Sequence, residues 1–159
     1  MIRLSNGFDD IDMEAIKKFE QKWNFKFPDS YKAFLLESNG GKPALDRFSF
    51  FDINKNGLDQ SVINNFYGVP GKKNTKKDYL NLNFKLAIFS ERLPKDFIPI
   101  ASDVFGNQVV LALSGENEGC VYFFDHELEE DNLSMIAKTL DEFLSSLQSP
   151  LYADHEVPE

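Results

Sequence analysis

NFKFPDSYKAFLLESNGG, residues 24–41, is the stretch from which the fold is read. Pro28, followed by Asp29 and Ser30, offers a helix start at which proline forfeits no needed hydrogen bond. Tyr31, Phe34, Leu35 and Ser38 then recur at i, i+3, i+4 and i+7, so the apolar members share an inward face while Lys32 and Glu37 point to water. Gly40 and Gly41 are expected to take the left-handed conformation that ends a helix. Upstream, Ile16, Phe19 and Trp23 define an earlier helix, capped by Asp9 or Asp10 and reaching about Lys22. Residues 9–41 thus read as a helical hairpin, with Trp23, Phe25, Phe27 and Tyr31 packing its junction.

Downstream the pattern changes. Arg47–Ile53 is aromatic and β-branched, and Asn54 to Gly57 supplies a turn. Val62, Ile63, Phe66 and Tyr67 fit either a strand or a helical turn, and residues 68–77 read as an exposed loop. Leu80, Phe84 and Ile88 recur at four-residue spacing, which predicts a helix to about Arg92, before Pro94. Phe97–Ala101, Gln108–Leu113 and Cys120–Asp125 read as strands joined by short loops, an antiparallel meander. Leu133–Leu147 is expected to be a closing helix behind a cap at Asp131 or Asn132, with Ile136, Leu140, Phe143, Leu144 and Leu147 on its stripe. This order predicts one α+β domain over residues 1–148, a largely antiparallel sheet with helices on one side, and a mobile tail at 149–159.

Composition narrows the function. With 159 residues, 42% of them hydrophobic, the chain can bury a core without staples. One cysteine, Cys120, excludes an internal disulfide and fits a reducing compartment. The N-terminus lacks the apolar core of a signal peptide, and no apolar run approaches the roughly 20 residues of a membrane span, so a cytoplasmic location is expected. The net charge of −9 is uneven: residues 1–77 hold 13 Lys+Arg against 10 Asp+Glu, and residues 78–159 hold 4 against 16. Such a field disfavours nucleic acid and anionic membrane and speeds encounter with basic proteins.

The candidate chemistry is sparse. Asp125-His126-Glu127 sets an imidazole between two carboxylates, yet on an extended strand the histidine faces away from both. The second histidine, His155, lies in the expected tail, which leaves a zinc site short of nitrogen ligands. Cys120 reads as a small core residue, since six residues of strand separate it from His126. Gly68 to Lys72 fails as a phosphate loop because Phe66 and Lys73 occupy required positions. Lys72, Lys73, Lys76 and Lys77 read as a solvated loop. The run Asp125–Asp131, five carboxylates and no base, has two open readings: a surface for a basic partner, or acids favouring the N-terminal end of the last helix.

The same residues carry a resemblance. Phe27-Pro28, Tyr31, Phe34-Leu35 and Asn39-Gly40-Gly41, then Phe97 to Ala101, Asp103, Gly106-Asn107 and Gly119 to Glu127, are similar in type and order to the SUKH superfamily, the Smi/Knr-like proteins. The resemblance spans about Ile11 to Leu147. It departs at Phe124, where the family often has tryptophan, and from Asp59 to Lys77, where partner choice is expected to lie because variable loops carry recognition. It implies the SUKH α+β fold and a non-catalytic protein, most often a bacterial immunity protein that neutralises a toxin domain such as a nuclease or deaminase. Fungal relatives imply a second role, a scaffold for cell-wall synthesis. A third reading, from the residues alone, is a small hydrolase or metal-dependent enzyme using Asp125, His126 and Glu127. On the first reading Asp103, Asn107, Asp125, His126, Glu127, Glu129 and Glu130 meet a basic protein, and no enzyme activity, cofactor, metal, nucleic acid or membrane is expected.

Overall fold

A computed structural model describes residues 2–71 and 77–149. The expected tail from 150 onward lies outside the described residues, as do Lys72, Lys73 and Lys76. Strand β1 (Leu4–Ser5) pairs with β2 (Lys42–Pro43) in a small antiparallel sheet. The main sheet has six strands in chain order: β3 (Arg47–Asp52), β4 (Gly57–Phe66), β5 (Phe97–Asp103), β6 (Gln108–Ala112), β7 (Val121–Phe124) and β8 (Leu133–Ala137). Every neighbouring pair is antiparallel. The helices are α1 (Met13–Trp23), α2 (Asp29–Glu37), α3 (Leu82–Phe89) and α4 (Leu140–Ser146).

The helical hairpin forms with its caps moved. Asp12, not Asp9 or Asp10, caps α1, its carboxylate accepting from the Ala15 amide at 2.9 Å. Asn24 closes α1 in the left-handed region, at φ 56°. Pro28 precedes α2, whose buried residues are Tyr31, Phe34 and Leu35, as the stripe predicts. Phe27 stacks on Phe19 and meets Tyr31 edge-on at 5.0 Å, so these two junction aromatics are core, while Trp23 and Phe25 pack against it partly buried.

Gly40 and Gly41 do have positive φ, but α2 has already ended at an extended Ser38. Their freedom serves a crossing of backbones: a Cβ on Gly7 would sit 2.1 Å from the Gly40 carbonyl oxygen. Buried Asn39 fastens the same crossing, donating to the Asp9 and Val69 carbonyls and accepting from the Val69 amide. Three bonds from one side chain hold segments 30 residues apart in sequence.

Two other expectations are corrected. The ambiguous stretch around Val62 is strand: β4 runs ten residues, so the first part of the segment expected to carry recognition, up to Phe66, is sheet. The helix expected from Leu80 is shorter and turned. A 3-10 turn at Asp78–Leu80 comes first, then the Asn81 side chain accepts from the Asn83 amide and restarts the helix at Leu82. That phase buries Leu82, Leu86 and Phe89 and leaves Phe84 and Ile88 exposed.

Leu133–Leu147 is not one helix. Its first five residues pair with β7, and only α4 is helical, capped by Thr139, whose hydroxyl accepts from the Glu142 amide. Thr139-x-x-Glu142 is a capping-box spacing within the expected helix. The carboxylates at 129–131 therefore lie before a strand, and the helix-end reading of them falls away.

The sheet buries both faces. Val109, Leu111, Val121 and Phe123 join the main core with α1, α2 and α4, whereas the alternate residues Val110 and Phe124 pack with Phe89 and Leu93. Helices are thus not confined to one side, because the end of α3 and the turn after it cover the second face. Register shifts beside Ile63, Pro99 and Val121 add twist. Pro99, which has no amide to donate, sits at one of these irregularities. The edges are protected: Phe50 of β3 stacks on Phe123 of β7 at 4.1 Å, and Gln148 exchanges backbone hydrogen bonds with Arg47.

Candidate functional site

Antiparallel succession places the β3–β4 turn, the β5–β6 loop and the β7–β8 loop at the same end of the sheet. Every residue expected to meet a partner lies in the last two of these loops or at their strand ends. The structure brings them together but divides their roles.

Asp103 is 2% exposed. One carboxylate oxygen accepts from the Phe105 and Asn107 amides, both at 2.8 Å. The other accepts from the Ser61 hydroxyl at 2.8 Å and the Asn107 side-chain amide at 3.1 Å. Both oxygens are used inside the protein, so this carboxylate shapes the loop and offers little to a surface. Asn107 passes the link on: its side-chain oxygen accepts from the His126 amide at 3.1 Å. The imidazole returns it, with Nε2 2.9 Å from the Phe105 carbonyl oxygen, a bond that requires the hydrogen on Nε2. Gly106 turns the loop at φ 86°, a backbone conformation that favours glycine.

Asp125, His126 and Glu127 do not converge. Asp125 accepts from the Glu127 amide at 3.0 Å, a local turn, while the His126 ring faces the neighbouring loop. Among the described residues no group of three His, Cys, Asp or Glu is placed to hold a metal ion. Glu127, Glu129, Glu130 and Asp131 are exposed, and no Lys or Arg among the described residues pairs with them. Arg92 approaches from below, donating to the His126 carbonyl oxygen and lying over the Phe89 and Phe124 rings. A cleft of about 150 Å³ runs between Phe51 and Ile53 of the β3–β4 hairpin and Asp125, Leu128 and Asp131 of the acidic loop.

Sequence reasoning passed over the apolar members of this end. Phe105 is 70% exposed and Val104 52%, at the tip of the loop that Asp103 ties down. Phe51, Ile53 and Leu58 are exposed on the β3–β4 hairpin. A legible signal existed in Asp103-Val-Phe-Gly-Asn107, two large apolar residues inside turn-forming ones.

Behind the loop, Tyr67 donates its hydroxyl to Gln108 at 2.5 Å, and burial pushes this phenol well above its ordinary value. Gln108 in turn donates to the Gly106 and Asn107 carbonyls. Cys120 is buried, with β7 between it and His126. Of the lysine cluster only Lys77 is described, and its ammonium donates to the Asn6 and Gly7 carbonyls. No helix among the described residues is long and apolar enough to cross a membrane.

Comparison with known proteins adds two findings. The model of a family described as SMI1 / KNR4 family (SUKH-1) matches residues 10–146. The chain is also 28% identical, over 159 aligned residues, to the SPbeta prophage-derived uncharacterized protein YokK of Bacillus subtilis (strain 168), an alignment covering 90% of this chain and 78% of that protein.

Proposed function

The chain belongs to the SMI1 / KNR4 family (SUKH-1), and on that premise we propose that it is a non-catalytic protein-binding domain, an immunity protein that binds and neutralises a basic toxin domain such as a nuclease or deaminase in the cytoplasm. The observation that carries this reading is the β7–β8 loop, whose carboxylates at Glu127, Glu129, Glu130 and Asp131 are exposed and have no base paired to them among the described residues. Exposed like charges cost self-repulsion and gain little at home, whereas opposite charge on a partner turns them to use. A nucleic-acid-binding toxin presents such charge in its groove, and an acidic surface laid over it competes directly with the phosphate backbone. The prophage derivation of the relative YokK fits a role in competition between genomes.

In this reading Glu127, Glu129 and Glu130 steer, Asp125 and His126 set the course of their loop, and Asp103 and Asn107 position the loop beside it. The enzyme alternative finds no support in this arrangement, because the imidazole is bonded to a backbone carbonyl and the Asp125 carboxylate to the Glu127 amide.

The test immobilises the whole protein, passes lysates of the host and its competitors over it, and identifies proteins retained at low salt and released at high salt. A basic nuclease- or deaminase-like domain whose toxicity this chain suppresses supports the reading. Capture of envelope-synthesis proteins alone favours the scaffold role. With the partner identified, the triple variant E127Q/E129Q/E130Q should slow association about tenfold at low salt and flatten its salt dependence. Unchanged association would remove this loop from the steering surface.

A further inference from the structure

Exposed apolar residues are common on any protein, so exposure of Phe105 alone says little. What sets this one apart is how firmly its main chain is held. The Phe105 amide is bonded to buried Asp103, its carbonyl to the His126 ring, and the Val104 amide to the Val62 carbonyl at 3.1 Å. Each of these polar groups of the tip is satisfied from within, while the Val104 and Phe105 side chains are left to the solvent. An apolar side chain on a pre-ordered backbone sacrifices little entropy when a partner covers it. By contrast, Phe84 and Ile88, also exposed, stand on the outer face of α3 with no comparable tie to a second loop.

Resting on the function proposed above, we propose that the Val104–Phe105 tip is the anchor of the interface, inserting into an apolar recess on a cationic protein whose basic rim meets the carboxylates of the β7–β8 loop. The tie from the His126 ring to Phe105 sets that loop directly beside the tip, so one partner surface spans both. The two parts do different things. Long-range attraction from Glu127, Glu129 and Glu130 raises the association rate, whereas a buried aromatic, making contact only after docking, lowers the dissociation rate.

The test measures association and dissociation rates against the cationic domain identified by retention, for the whole protein and its variants. Phe105→Ala should raise the dissociation rate about 30-fold with little change in the salt dependence of association. Phe105→Leu, which keeps the apolar bulk, should recover most of the loss. Phe84→Ala serves as the control for an exposed phenylalanine outside the surface and should dissociate like the wild type. If Phe105→Ala and Phe84→Ala dissociate alike, within about twofold of wild type, the anchor is refuted while the acidic-steering reading stands. If instead the carboxylate variant associates normally and Phe105→Ala still dissociates fast, the steering fails and the anchor survives. Retention of no cationic domain would overturn both.

Discussion

Removing the Asp103 carboxylate is expected to loosen the whole candidate surface, and the structure sets the size of the effect. In Asp103→Ala the Ser61 hydroxyl, 3% exposed, loses its acceptor inside the protein, at a cost of about 1–3 kcal/mol. The Phe105 and Asn107 amides lie in a part-buried loop that water can reach once the carboxylate has gone, so each contributes about 0.5–1 kcal/mol. The Asn107 side chain keeps its bond to the His126 amide and adds little. Together these amount to about 3 kcal/mol, which for a domain of this size lowers Tm by roughly 6–12 °C. Urea titration followed by tryptophan fluorescence measures the free energy, and amide hydrogen exchange resolves its location. Exchange at 105 and 107 should accelerate more than at Val110 or Leu111 in β6. A loss under about 1 kcal/mol, or uniform acceleration across the sheet, would refute the reasoning that this carboxylate acts locally as the clamp of the loop.

Two further perturbations test other parts of the account. Gly7→Ala drives a Cβ to 2.1 Å from the Gly40 carbonyl oxygen, and both neighbours are backbone, so a loss of at least about 2 kcal/mol is expected by chemical denaturation. Gly71→Ala, with nothing within 4 Å of its Cβ, should stay within about 0.5 kcal/mol of wild type, and equal effects of the two would discredit the crossing. Asp46 is buried, and that burial raises its carboxyl above the ordinary 3.8 despite opposition from Lys42 and Arg47. A raised carboxyl contributes stability that is fully present below the unfolded value and lost as pH rises through the folded one. Asp46→Asn should therefore be more stable than wild type at pH 7, with the difference shrinking as both are titrated below pH 3.8. If Asp46→Asn instead lowers stability at pH 7, or the gap does not vary with pH, the carboxylate is better partnered than its burial suggests.

Much of the architecture was legible because it is local. The stripe at Tyr31, Phe34 and Leu35 forms one helix face, and short strand-like runs separated by turn residues marked β5, β6 and β7. The family resemblance drew on these same positions. Misreadings arose where two periodicities overlap. Leu133 to Ala137 continues the helical spacing of Leu140, Phe143 and Leu144, yet the backbone groups of the first five residues are claimed by β7. In α3, one side-chain cap at Asn81 rotated the buried face away from Phe84 and Ile88.

The candidate site divides along the same line. Sequence by itself determined where the carboxylates are and that they outnumber bases across residues 78–159. It also determined the helical hairpin and the meander, since caps, turns and periodicity act within a few residues. Only the tertiary structure decided that Asp103 is turned inward to Ser61, 42 positions away, and that His126 reaches across 21 positions to hold Phe105. Those bonds depend on strand register, which aligns residues remote in the chain and which no local pattern encodes. Register therefore made one carboxylate a clamp, left its neighbours on the surface, and set an exposed phenylalanine between them.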